Sequence, residues 1–224
     1  MLIQIYEITS PEEAAALSAI GVDHIGVLIG NGEFPREQPI ARACEIFAGV
    51  RGTAKRCALS LSADLKAIGE LVAALSLDIL HLGAAPDRLS PAEVSRLKDV
   101  ISGVAIMRSI PVMDESSVAL ARAYDGVADL LLLDSYDPAD RQVGALGITH
   151  NWELDGRIVE SVHIPVIVAG GLGPENAGAA IRTSHPAGVD SKTKTDKDDG
   201  SHMKDLHRVR AFVKAARAAA AVPI

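Results

Sequence analysis

Eight short apolar runs alternate with eight helix-like runs along the whole of this 224-residue chain, and that alternation limits its fold more than any other feature. The strand-like runs are Leu2–Tyr6, His24–Ile29, Arg56–Leu61, Asp78–Leu82, Gly103–Arg108, Asp129–Asp134, Ile164–Ala169 and Gly188–Asp190. The helix-like runs are Pro11–Ile20, Glu37–Phe47, Ala63–Leu75, Pro91–Val100, Glu115–Tyr124, Glu153–Val162, Pro174–Ile181 and Asp205–Ala221. Ser10-Pro11-Glu12-Glu13 combines an N-cap serine, a first-turn proline and acids at the positive helix end. Ser90-Pro91-Ala92-Glu93 has capping-box spacing. Eight β-α units in about 220 residues predict a closed (β/α)8 TIM barrel, one α/β domain over residues 1–224. An open doubly wound sheet is the competing arrangement, but the Gly-x-Gly-x-x-Gly it uses after strand 1 is missing.

Composition narrows the function classes. With 48% hydrophobic residues the chain can bury a core of barrel size. Its net charge of −7, from 22 Lys+Arg against 29 Asp+Glu, argues against a nucleic-acid partner, and 3% aromatics against a base-stacking platform. The apolar runs are too short to span a bilayer, and the N-terminus lacks the layout of a signal peptide. Two cysteines, Cys44 and Cys57, are too few for a disulfide framework or a thiolate zinc site, so a cytoplasmic location is expected.

The stretch Ile164–Asn176, IPVIVAGGLGPEN, reads as a buried strand ending in Gly170-Gly171, with Pro174 opening a helix. Paired glycines let backbone approach a ligand, and a helix start leaves N–H groups for an anion. The pair is either a phosphate cradle or a βα turn in which glycine relieves strain.

In a closed barrel, chemistry sits at the C-terminal strand ends. Here these are Tyr6/Glu7, Gly30/Asn31, Ser60, His81, Arg108, Asp134, Gly170/Gly171 and Asp190/Ser191/Lys192. Asp134 follows four leucines, where burial would raise its pKa and suit it to general acid work; a helix cap or a salt-bridged rim residue is the plainer alternative. His81 alternates with Leu80 and Leu82, so it faces the lumen as a base or serves as a hydrogen-bonded core histidine. Arg108 offers a clamp for phosphate or carboxylate, or pairs with a nearby acid. Ser191 and Lys192 open a polar run next to the glycine pair. Neither Cys44 nor Cys57 stands where a nucleophile is needed. The loop at about Ser135–Asn151, with Gly144 and Gly147, is long enough to act as a lid.

Taken together, the sequence resembles phosphoribosylanthranilate isomerase, the (β/α)8 enzyme of tryptophan biosynthesis. The matching stretches are Ile164–Ala177, Gly188–Asp190, Gly200 with Lys204-Asp205, and Val209–Phe212. Ile8-Thr9 with Glu12–Ala14, Gly21–Gly26, Pro35-Arg36, Leu131–Asp134 and Asn151-Trp152 extend the match along the chain. The resemblance implies an Amadori rearrangement of an aminoaldose phosphate to an aminoketose phosphate. It supplies a general acid after strand 6, matched by Asp134. It also supplies a cysteine base after strand 1, which is not matched: the family's Lys-x-Cys-Gly reads Gln4-Ile5-Tyr6-Glu7. A phenol with a pKa near 10 is a poor base at neutral pH, so Glu7, at the glycine position, is expected to remove the proton. The strand-4 Gln-Leu-His-Gly reads His81-Leu82-Gly83-Ala84, and the strand-8 Asp-Val-Ser-Ser-Gly reads Asp190-Ser191-Lys192-Thr193-Lys194.

A phosphorylated small-molecule substrate is therefore expected on Arg36, Arg108, Gly170, Gly171, Ser191 and Lys192, with no cofactor and no metal, in a monomer or homodimer. The departures cluster at the reaction face. They point to a divergent isomerase acting on another sugar-like phosphate, with Glu7 or His81 as base and Asp134 as acid. A non-catalytic sugar-phosphate-binding regulatory barrel is one alternative. A metal-dependent lyase or epimerase using Glu7, His81, Asp134 and Asp190 is the other.

Overall fold

Strands apolar on both faces need cover on both, and here they receive it from a filled lumen inside and helices outside. The computed structural model describes residues 1–137, 142–143 and 147–221. Its barrel strands are β1 (Leu2–Ile5), β2 (His24–Leu28), β3 (Lys55–Ser60), β4 (Ile79–Leu82), β5 (Ala105–Pro111), β6 (Leu130–Asp134), β7 (Val166–Val168) and β8 (Gly188–Ser191). All pair in parallel and close in the order β1-β8-β7-β6-β5-β4-β3-β2. The helices are α1 (Pro11–Ile20), α2 (Ile40–Phe47), α3 (Leu65–Ala74), α4 (Pro91–Val100), α5 (Ser116–Tyr124), α6 (Trp152–Ser161), α7 (Ala177–Ser184) and α8 (Leu206–Ala220). The barrel expected from the alternation is thus present. Among the described residues no helix is long and apolar enough to cross a membrane.

Local chemistry accounts for the helix ends. The Ser10 side chain accepts from Glu13 N–H at the start of α1, and Ser90 and Glu93 form the capping box of α4. Two expected starts move inward by three residues. The Glu37 carboxylate accepts the N–H groups of Gly32, Glu33 and Phe34, which holds residue 37 in the loop, so α2 begins at Ile40. Asn176 accepts from Gly173 N–H at 2.7 Å and donates to Gly171 O at 3.1 Å, so residues 174–176 form a turn and α7 begins at Ala177.

Strand parity divides the core in two. Ile3, Ile5, Ile25, Val27, Leu80, Ile106, Leu131, Leu133, Val166 and Val168 point outward onto Leu17, Ile46, Ile68, Leu97, Ile158 and Phe212 of the helices. Each such side chain stabilises the fold by about 1.5–3 kcal/mol on burial. Tyr6, Cys57, Ile79, Met107, Leu132 and Ile167 fill the lumen. Within that lumen the Tyr6 hydroxyl lies 3.0 Å from Cys57 Sγ and 2.5 Å from His81 Nδ1, and His81 Nε2 lies 2.7 Å from Ser109 Oγ. The Tyr6 ring lies over Gly26, where a Cβ would come within 2.3 Å of a ring carbon.

Candidate active site

The inward parity that puts Leu130 and Leu132 in the lumen carries Asp134 to its mouth at the end of β6. Burial pushes the Asp134 carboxyl up to about 6, against the pull of the Ser135 N–H and of His150. Ser135 donates its N–H (2.8 Å) and its hydroxyl (3.3 Å) to Asp134 Oδ1. Asp190, at the same level of β8, is buried, and Oδ1 has no hydrogen-bond partner among the described residues. Desolvation first, and then the neighbouring Asp134 charge, raise its carboxyl to about 8. Both acids line a small cavity of about 30 Å³ with Gly147, Gly170, Gly171 and Lys192.

An acid held neutral by the fold has a consequence for stability. The Asp190 pKa is raised, so the native state keeps its proton where the unfolded chain has lost it. Stability is therefore lost as pH rises from about 4 toward 8. Asp190→Asn lacks this cost. It is expected to gain on the order of a few kcal/mol over the parent at pH 8 and far less at pH 4. Urea unfolding at the two pH values measures the difference, and an equal effect at both would contradict the assignment.

Beyond β1 the chain turns sharply, and Glu7 adopts a left-handed backbone with φ of 59°. Glycine is the usual tenant of that region, which fits the family's glycine at this position. Arg36 (φ 69°) and His202 (φ 58°) share the conformation, and all three line one cavity of about 210 Å³. Ile8 and Leu28 provide its apolar wall. Strained residues gathered around one cavity mark a place where function outweighs backbone comfort.

The charges there alternate. Arg36 Nε meets Glu7 Oε2 at 2.5 Å, Lys192 Nζ meets the same oxygen at 3.2 Å, and Lys192 also meets Asp196 at 3.0 Å. Asp196 in turn pairs with the fully buried Lys204. Glu7 and Lys192 are only 8% and 13% exposed, so these pairs are screened weakly by water.

Gly170 and Gly171, with φ of 77° and 59°, end the turn after β7. Their lack of side chains is required by the segment 147–150 behind them. A Cβ on Gly170 would lie 2.7 Å from His150 Nδ1, and one on Gly171 would lie 2.8 Å from Gly147 O. His150 is a residue that the sequence did not bring forward. Its Nε2 lies 2.9 Å from each oxygen of the fully buried Asp155. Histidine five residues before an acid, at the start of α6, was the only signal available. The lid suggested for the loop falls partly outside the described residues, as does Gly144.

Three expected site residues are placed differently. His81 is a core histidine and not a base: both ring nitrogens are within hydrogen-bond distance of lumen partners, and burial holds its pKa down to about 3. Arg108 is not a ligand clamp, because its neighbours Met107 and Ser109 take the inward positions. It is fully buried behind the strand, donating to Leu82 O at 2.7 Å with its guanidinium 5.1 Å from the Tyr124 ring centre. Ser191 spends its hydroxyl proton on Leu172 O at 2.7 Å, bracing the turn after β7. Tyr6 cannot replace the cysteine, since its hydroxyl faces down the lumen and burial raises its pKa. Cys57 is likewise inert, with burial pushing its thiol up to about 12. Glu7 and Arg36 line the larger cavity, whereas Asp134, Gly170, Gly171 and Lys192 line the smaller one, and the Lys192–Glu7 ion pair joins the two.

Comparison with known proteins adds the chemistry of relatives. The family model described as N-(5'phosphoribosyl)anthranilate (PRA) isomerase matches residues 53–215. A curated N-(5'-phosphoribosyl)anthranilate isomerase from Haloferax volcanii is 32% identical over 220 residues, covering 97% of this chain and 93% of its own length. The solved phosphoribosyl anthranilate isomerase from Thermotoga maritima superposes with a TM-score of 0.82 at 20% identity, covering 97% of this chain and 99% of its own. A further such isomerase, at TM-score 0.79 and 19% identity over 97% of this chain and 100% of its own, was solved with reduced 1-(o-carboxyphenylamino)-1-deoxyribulose 5-phosphate. At these identities the two structures show the shared barrel. Neither the regulatory nor the metal-dependent alternative draws support from these relatives. Among the described residues no three His, Cys, Asp or Glu side chains converge as metal ligands.

Proposed function

Because this chain belongs to the N-(5'-phosphoribosyl)anthranilate isomerase family, we propose that it performs the family's Amadori rearrangement in tryptophan biosynthesis, with Asp134 as general acid and Glu7 as general base. The observation that carries the proposal is a carboxyl raised to about 6 in one cavity and, joined to that cavity through Lys192, a carboxylate flanked by two cations.

The compound bound by one solved relative carries a phosphate at one end and an aryl carboxylate at the other. This mouth has a matching pair of anion sites. The Gly170-Gly171 turn with Lys192 takes the phosphate. Arg36, beside the apolar wall of Ile8 and Leu28, takes the carboxylate and the ring. Protonated Asp134 gives its proton to the ribose ring oxygen as the C1–O bond breaks, and the amine lone pair forms a C=N bond. Glu7 removes the C2 proton, and those electrons pass to C1 and then to nitrogen to give an enaminol. A proton added at C1 and one lost from the C2 hydroxyl complete the aminoketose. No redox partner is required.

The test is direct. Purified protein mixed with N-(5'-phosphoribosyl)anthranilate should convert it, as read from the arylamine fluorescence. The gene should also restore growth to a tryptophan auxotroph lacking this isomerase. Failure of both, with an active relative as control, would end the proposal.

A further inference from the structure

We infer that His150, braced by Asp155, is a phosphate-positioning residue that donates from Nδ1 to the substrate phosphate at the Gly170-Gly171 turn. The inference rests on the isomerase proposal for the identity of the substrate, but its geometry stands separately.

A ring nitrogen between two carboxylate oxygens, each 2.9 Å away, must be the N–H donor, so Nε2 is committed to Asp155. That leaves Nδ1, which is buried and has no hydrogen-bond partner among the described residues. The His150 side chain is 7% exposed and that of Asp155 is 0% exposed. A buried polar atom without a partner is costly and points to an absent ligand atom or to a role. The orientation indicates which: Nδ1 lies against Gly170, on the side where a Cβ would come within 2.7 Å of it. Gly170 and Gly171 also line the cavity that holds Lys192.

The charge balance at this cavity calls for another donor. Lys192 is already shared between Glu7 and Asp196, and Asp134 and Asp190 lie on the same walls. Ser191 has given its proton to Leu172 O. With Asp190 held neutral, an arriving phosphate would meet a single cation, and that one is already shared. The His150–Asp155 pair answers this with an uncommitted ring nitrogen against Gly170 and its carboxylate buried behind. With phosphate present, the protonated ring gains the acceptor that Nδ1 lacks, a charge-assisted bond of the stronger kind. The same ring is near enough to Asp134 to oppose the rise in its pKa.

The wild-type protein provides the first test. With ¹⁵N-labelled histidine and inorganic phosphate as the probe, the Nδ1 resonance of His150 should move from the lone-pair range to the N–H range as phosphate saturates. Saturation without that movement, or no phosphate binding at all, would overturn the inference. The second test compares variants. His150→Phe is expected to raise KM and the inhibition constant of phosphate by about tenfold or more while kcat falls less. His150→Asn, which keeps a donor at the δ position, is expected to recover part of that loss. A fall in kcat alone would assign His150 to Asp134 and not to phosphate. An absence of turnover in the wild type would defeat the isomerase proposal, whereas the phosphate titration would still judge His150.

Discussion

Asp134→Asn is expected to lower kcat by about 10²–10⁴-fold, the usual contribution of a placed general acid, with little change in phosphate binding. Asparagine keeps the shape and can still accept from Ser135, but it has no proton to give. The same argument sets the pH dependence. The active form of the acid is protonated, so kcat/KM should fall as pH rises above about 6, the value to which burial lifts this carboxyl. The variant should lack that descending limb. Asp190, raised to about 8 in part by the Asp134 charge, titrates as part of the same pair, so the profile reports both acids together. Unchanged turnover in Asp134→Asn, or a parent profile flat between pH 5 and 8, would remove Asp134 from the mechanism.

Glu7→Gln should cost a similar 10²–10⁴-fold in kcat through loss of the base, yet its effect on KM should run the other way. In the ligand-free site Glu7 occupies Arg36, at 2.5 Å from Nε, and shares Lys192. On the proposed roles, a substrate carboxylate arriving at Arg36 would displace Glu7 from it and so free the base. Glutamine holds Arg36 less strongly, so KM should drop while kcat collapses. Steady-state kinetics separate the two, since loss of a group used only in the transition state lowers kcat without weakening binding. Solvent exchange of the C2 proton in heavy water provides a second readout and should stop in this variant. Full exchange with glutamine at position 7 would show that another group removes the proton.

Much of this was open to inspection in the chain itself. Apolar runs of strand length alternating with capped helices dictate a parallel sheet wrapped by helices, and strand ends rich in Glu7, Asp134, Asp190 and Lys192 mark one face as reactive. Ser10 and Ser90 cap their helices through side chains only three residues distant, and short-range chemistry of that kind is written in the local sequence. Even the glycine at the family's strand-1 turn left a trace, since Glu7 inherits the left-handed backbone.

The direction of each side chain was decided only when the barrel closed. In Ala105–Pro111 both faces are buried, so no polar and apolar alternation shows whether Met107 or Arg108 looks inward; packing gave the lumen to Met107 and put Arg108 under Tyr124. His81 lost its eligibility as a base because Tyr6 and Ser109, from strands distant in sequence, bracket its ring. Glu7 became a carboxylate held between Arg36 and Lys192, and His150 acquired the back of the glycine turn, through contacts between segments that are far apart along the chain. Local spacing determines which elements form and which end of them is polar. Burial, ion pairing and hydrogen-bond partners are properties of the closed barrel, because they depend on neighbours that only closure brings together.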